Sequence, residues 1–193
     1  MHDHGGAQEL TMYLAKKLAI VAVSALAYGL FFLANNFLFS FTEFSFAVHW
    51  VYLPSGIILM SVLLFAEWAA LGIMIASAII SHAYYFQDSL GAAVGAGFVS
   101  GFAPWIARLL CIAKLKLDVD LHQLTATTLL KVATVFALLS ALLHQFWYLL
   151  HGHTSNFFGN AAVMAAGDFS GTLIVLYLAK LSIGLLPITD ESR

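Results

Sequence analysis

Six long runs of apolar residues, separated by short polar breaks, dominate this chain of 193 residues. A helix of about 20 apolar residues crosses the hydrocarbon core of a bilayer, and the pattern favours such helices. The runs are 14–41, 54–66, 68–86, 90–113, 127–150 and 160–186. Only 9% of the residues are charged, against about 25% in soluble domains. The predicted fold is therefore all-α, a polytopic membrane helix bundle of about six transmembrane helices.

The breaks between the runs predict a single transmembrane domain, 14–186. It follows a polar cytoplasmic N-terminus, 1–13, and precedes a short cytoplasmic tail, 187–193. The first run has no cleavage-site pattern, so we interpret it as a retained span and not as a signal peptide. The second run, from Pro54 to the break at Glu67, is short for a full crossing unless Leu53 and earlier residues join it.

The basic residues predict the orientation of these spans. If the N-terminus lies inside and six spans follow, every Lys and Arg falls on the inner side or at an inner helix end. They are Lys16, Lys17, Arg108, Lys114, Lys116, Lys131, Lys180 and Arg193. The outer loops then hold no basic residue, which is the positive-inside pattern. We therefore expect an N-in/C-in protein of the inner cell membrane.

Asp168 is the most informative polar residue because it interrupts the last apolar run. It lies nine positions into that run, roughly 14 Å below the outer edge at 1.5 Å per residue. A carboxylate at such a depth costs on the order of 2.5–3.5 kcal/mol by insertion scales. Asp168 should therefore face protein or a wet cavity. An interhelical hydrogen bond without a functional role is the alternative interpretation.

Other polar side chains fall in the same outer half once the orientation is assigned. We expect Asn35, Asn36, Trp50 and His144 to line an outward-facing pocket with Asp168. No established ligand signature predicts a metal site, and His144, His151 and His153 are only weak candidates for one. A pH-responsive histidine cluster is chemically reasonable, while aromatic and histidine side chains at the headgroup level need no function at all.

Other function classes find little support in the residues. There is no basic stripe for nucleic acid, no cofactor motif, and the single Cys111 cannot form an internal disulfide. A serine hydrolase that uses Ser100 with His82 or His144 has no motif in its favour, because Ser100 lacks the glycine two positions before it. The glycines between 91 and 101 are typical of closely packed membrane helices. The chain is accordingly not expected to be an enzyme.

Two short motifs resemble a known family. Trp50-x-x-x-Pro54-Ser55-Gly56, leading into an apolar helix, resembles the W-x-P-x-G signature of the MASE1 integral membrane sensor domain of bacteria. The stretch Gly167-Asp168-Phe169-Ser170-Gly171 resembles the late G-D-x-x-G helix of the same family. The resemblance implies a membrane-embedded sensor whose shared core contains Pro54, Gly56, Gly167 and Gly171. Family members usually have more spans, a tryptophan closer to the proline and a cytoplasmic output domain.

These observations favour a stand-alone sensor-like module in the lipid bilayer. It would bind an unknown small ligand in the outward-facing pocket and relay its state to a membrane or cytoplasmic protein partner, for example through the polar inner loop 114–122. The first alternative is a small-solute transporter or a substrate-binding membrane subunit. A structural or assembly subunit of a membrane complex is the second.

Overall fold

The computed structural model describes residues 4–115 and 125–184. Within these ranges five helices are long and apolar enough to cross a membrane, in agreement with the predicted all-α class. They are α1 (His4–Phe39), α2 (Pro54–Tyr84), α3 (Leu90–Leu115), α4 (Ala126–Leu150) and α5 (Phe157–Gly184). A small antiparallel hairpin of β1 (Glu43–Ser45) and β2 (Val48–His49) lies between α1 and α2. The tail 187–193 lies outside the described residues, and so does the polar loop 114–122 except for its first two positions.

The second and third apolar runs form one helix, α2, which is sharply bent at Ala66. Ala66 has φ 50° and ψ −128°, in a region that residues with a Cβ rarely adopt. The Tyr28 hydroxyl lies 3.2 Å from the hydroxyl of Tyr52, just before α2, and 3.4 Å from that of Ser77. A straight helix would hold positions 52 and 77 about 37 Å apart. The two arms of α2 therefore fold back on each other, next to the break predicted at Glu67.

Contacts between neighbouring helices define their relative directions. Lys17 lies over the ring of Trp68, and Phe32 makes an edge contact with Tyr84. The N-terminal part of α1 thus contacts the start of the second arm of α2, and the C-terminal part of α1 contacts its end. These two segments therefore run parallel. By the same reasoning, Trp147 of α4 bonds to the carbonyl oxygen of Ala92 in α3 while Ser100 meets His144, which makes α3 and α4 antiparallel.

Small residues allow α2 and α3 to approach closely. A Cβ on Gly97 would meet Ala78, and one on Gly101 would meet the backbone of Ala70. This confirms the packing role predicted for the glycines between 91 and 101, with the exception of Gly91, which has no atom within 4 Å.

The surface of the bundle is apolar while its interior holds polar groups. Large side chains such as Leu26, Leu30 and Phe37 are more than 65% exposed along α1. Buried serines, histidines and the carboxylate of Asp168 lie inside. A soluble monomer rarely exposes apolar patches of this extent. An apolar surface around a polar interior, together with the helix lengths, is compatible with a membrane protein.

Candidate functional site

A cavity of about 50 Å³ lies inside the bundle, and all five helices contribute polar side chains to its wall. We call it the buried cavity. Its polar lining residues are Tyr28, His49, Tyr52, Ser55, Ser77, Ser81, Tyr85, Ser100, Ser140, His144, Tyr148 and Asp168. Because one water occupies roughly 10–15 Å³ on this measure, the cavity has room for a few waters or a small ion.

Asp168 is the acidic group of the buried cavity and is only 3% exposed. Ser55, in the first turn of α2, donates a hydrogen bond of 2.5 Å to its Oδ1. Its second oxygen, Oδ2, has no hydrogen-bond partner. The carboxylate therefore keeps one acceptor available to a small ligand.

The Ser55–Asp168 hydrogen bond connects the two sequence motifs, and further hydrogen bonds and close contacts hold the two segments together. The amide of Tyr52 donates to the carbonyl oxygen of Gly167 at 3.1 Å, and Ser170 donates to that of Trp50 at 3.0 Å. Gly171 faces the Tyr52 carbonyl so closely that a Cβ would not fit. Non-helical backbone is tolerated at membrane depth only where protein satisfies its polar groups. The α5 motif meets that requirement for the segment that leads into α2.

The remaining motif residues stabilise the start of α2. Pro54 is buried in the first turn, where its missing N–H costs nothing. Gly56 packs against Val175 of α5 without room for a side chain.

His144 of α4 also lines the buried cavity. Its Nδ1 is 2.9 Å from the carbonyl oxygen of Ser140, and since a carbonyl only accepts, Nδ1 must carry the hydrogen. A neutral His144 therefore accepts at Nε2 from the hydroxyl of Ser100, 3.1 Å away. The same hydroxyl is 3.0 Å from the carbonyl oxygen of Ala96. If His144 gained a proton, Nε2 would donate to Ser100, and Ser100 would turn to Ala96.

Hydroxyl groups extend this arrangement across the cavity. Ser77 donates to Ser100 at 2.8 Å, Tyr28 donates to Ser77 at 3.4 Å, and the hydroxyls of Tyr28 and Tyr52 are 3.2 Å apart. The hydrogen-bonded chain thus runs from the segment before α2 through α1, α2 and α3 to His144 in α4. Such a chain holds the wall in one geometry.

The pair of Ser100 and His144 also has the distance of a nucleophile and its base. Its surroundings do not favour hydrolysis, because a cavity of about 50 Å³ leaves no room for an ester or a peptide.

A second, larger concavity of about 510 Å³ adjoins the buried cavity at the end of the bundle where α1 ends. We call it the vestibule. Asn36, Ser40, Glu43, Phe46, His49, Tyr84 and Tyr85 line it. His49 and Tyr85 belong to both walls, so these two side chains stand between the vestibule and the buried cavity.

The two dividing side chains are neutral near neutral pH. Burial lowers the pKa of His49 below its usual 6.5, an effect that the negative charge of Glu43 opposes only in part. Burial also raises the pKa of Tyr85 above its usual range. Both nitrogens of His49 lack a hydrogen-bond partner although the side chain is only 5% exposed.

The structure brings together some of the residues predicted for the pocket and separates others. Asp168 and His144 line the buried cavity, and Asn36 lines the vestibule. Asn35 is fully buried, and its Oδ1 accepts a hydrogen bond from the amide of Leu53 at 2.9 Å, so it tethers the chain before α2. Trp50 is 50% exposed and packs its ring against Phe44, outside both cavities.

The weak metal candidates His151 and His153 make other contacts. His151 donates to the carbonyl oxygen of Trp147, and His153 stacks on Phe46. Over residues 4–115 and 125–184, no three His, Cys, Asp or Glu side chains are grouped to hold a metal ion.

Sequence reasoning missed most of the cavity wall. Single serines and tyrosines within apolar helices carry no spacing signal, since a hydroxyl can equally bond to its own helix backbone. Ser55 stood at a named position of a motif, but its partner lies 113 positions away. Comparisons with protein-family models, curated proteins and solved structures found no match to this chain. The resemblance to MASE1 therefore remains an interpretation of two short motifs.

Proposed function

We propose that this chain is a sensor-like membrane module that binds a small polar ligand in the buried cavity and relays its state to a protein partner. The observation that carries the proposal is the unpartnered Oδ2 of Asp168 in that cavity. Buried carboxylates are rarely left with an unused acceptor, and intramembrane acids mark functional sites more often than not. As in MASE1 domains, which the motifs resemble, the site would report to the inner side of a bacterial inner membrane.

The proposed topology has six crossing segments with both termini inside. The two arms of α2 count as separate crossings, because they fold back at Ala66. The first arm is only about 18 Å long, and the segment Trp50–Leu53 extends it towards the vestibule. In this orientation the vestibule opens outward, and the Lys and Arg residues within 4–115 and 125–184 lie towards the inner side.

Cysteine accessibility tests this topology. In a Cys111→Ala background, Ser155→Cys in the exposed turn before α5 should react with a membrane-impermeant maleimide added outside. Glu67→Cys, also exposed but at the bend of α2, should react only after permeabilisation. Labelling of Glu67→Cys from the outside would contradict the six-segment topology, since α2 would then not reverse on the inner side.

Ligand binding is tested with the purified chain in nanodiscs. A panel of small cations, small anions and neutral polar solutes is screened for an increase in melting temperature. At ten times its Kd a true ligand should raise Tm by about 3–6 °C. The increase should vanish in Asp168→Asn and persist in Asp88→Asn, the same change at an exposed acid outside both cavities. The proposal fails if no compound has an effect that depends on Asp168.

Transport of a small solute is the second candidate, and the serial arrangement of vestibule and buried cavity favours it. A solute that passes His49 and Tyr85 would reach Asp168 near the middle of α5. Midplane sites of this kind are typical of transporters. Uptake of labelled solute into proteoliposomes separates the candidates, because a sensor binds its ligand and accumulates none.

A further inference from the structure

The buried cavity carries two buried side chains with unused hydrogen-bonding atoms. Asp168 offers Oδ2, and His49 offers a ring nitrogen, with exposures of 3% and 5%. Buried polar atoms in folded proteins nearly always have a partner. Two such side chains in the wall of one small cavity therefore indicate a binding site, whose ligand these atoms would contact.

The charges along the path to the cavity have one sign. Glu43 lines the vestibule, Asp168 lines the buried cavity, and no Lys or Arg lines either of them in the described part of the chain. His49 adds no positive charge at neutral pH, because burial lowers its pKa. Acidic groups in a low-dielectric wall attract cations and repel anions.

We infer that the occupant is a small monovalent cation of the size of Na⁺, K⁺ or ammonium. This inference rests on the proposed binding function and specifies its ligand. Oδ2 of Asp168 would be the anionic contact, and hydroxyl groups of the wall and a His49 nitrogen would complete the shell. The cation would come from the vestibule, past His49 and Tyr85.

Size and charge both limit the occupant. A cavity of about 50 Å³ holds a small ion with one or two waters but not an ion as large as choline. The single carboxylate neutralises one positive charge. A Ca²⁺ ion would leave a net charge buried, and its sites usually supply several carboxylates and six to eight oxygens.

The test compares melting temperatures of the full chain in nanodiscs of neutral lipid, at one pH and equal ionic strength. The probes are the chlorides of sodium, potassium and ammonium, with choline chloride as the size control and calcium chloride as the valence control. At least one small cation should raise Tm by about 3–6 °C at ten times its Kd. Choline and calcium should have no effect beyond ionic strength. The shift should disappear in Asp168→Asn and remain in Asp88→Asn.

The outcomes separate this inference from the proposed function. The inference is wrong if choline or calcium matches the small cations, or if the shift persists in Asp168→Asn. If only an anion or a neutral solute stabilises the chain through Asp168, the cation inference fails and the binding function stands. If no probe acts through Asp168, both fail.

A second variant covers the case in which Asp168→Asn does not fold. Ser55→Ala keeps the carboxylate but removes the hydroxyl bonded to it. The cation concentration for half-maximal stabilisation should then change by about tenfold, with Ser155→Ala, at an exposed serine before α5, as the control. An unchanged concentration dependence would overturn the inference.

Discussion

Replacing Gly171 with alanine should destabilise the protein, because the segment before α2 lies directly on this position. An added Cβ would meet the carbonyl of Tyr52 and the amide of Leu53. Both are backbone groups, which cannot rotate away as the end of a flexible side chain can. Relief therefore requires the segment to lift from α5, and with it the Tyr52 amide that bonds to Gly167.

The expected magnitude combines two opposing effects. Overpacking costs about 1–3 kcal/mol, while exchanging glycine for alanine within a helix gains about 0.5–1 kcal/mol. Because the added Cβ would meet backbone atoms, the overpacking cost lies in the upper part of its range, and the net loss for Gly171→Ala is about 1–2 kcal/mol. For a chain of this length that corresponds to a decrease in Tm of about 2–8 °C.

Gly29→Ala in α1 is the matched control. Nothing lies within 4 Å of a Cβ added at Gly29, so only the helix gain remains. The two glycine-to-alanine variants should therefore shift Tm in opposite directions in a thermal melt followed by circular dichroism in nanodiscs. The reasoning is refuted if Gly171→Ala melts at or above the wild-type temperature while Gly29→Ala behaves as expected.

Three further predictions concern the bend of α2 and the cavity. Ala66→Gly should raise Tm by about 1–4 °C, because glycine adopts a φ of 50° without strain. The same change at exposed Ala162 in α5 should lower Tm. An unchanged Tm in Ala66→Gly would argue against the bend. Ser55→Ala should cost about 1–3 kcal/mol because it removes the hydroxyl that donates to Oδ1 of Asp168, and a double-mutant cycle should show a smaller loss in Asp168→Asn. The unfolded chain protonates His49 near pH 6.5 and the folded chain only below its lowered pKa, so stability should fall as the pH drops through that window. Melts of His49→Gln should show a shallower decline, and equal slopes would contradict the burial of a neutral imidazole.

Much of the helical architecture could be predicted from local patterns. The apolar runs predicted where helices lie, and the polar break at Glu67 fell one residue after the bend at Ala66. These features are local, since a helix bonds residues four apart and burial in lipid depends on the composition of one segment. Asp168 could be singled out for the same reason, because a carboxylate in an apolar run stands out without knowledge of its neighbours.

The sequence by itself therefore determined an all-α chain with spans long enough for a membrane and one conspicuous acid. Tertiary structure decided what surrounds that acid. Whether Ser55 meets Asp168, whether Asn35 binds a ligand or holds Leu53, and whether Trp50 enters the pocket all depend on how separate segments pack. Serine and tyrosine hydroxyls in apolar helices can bond to their own backbone or to a distant partner. Only the close approach of helices, at glycines such as Gly167 and Gly171, selects the distant partner and forms the cavity.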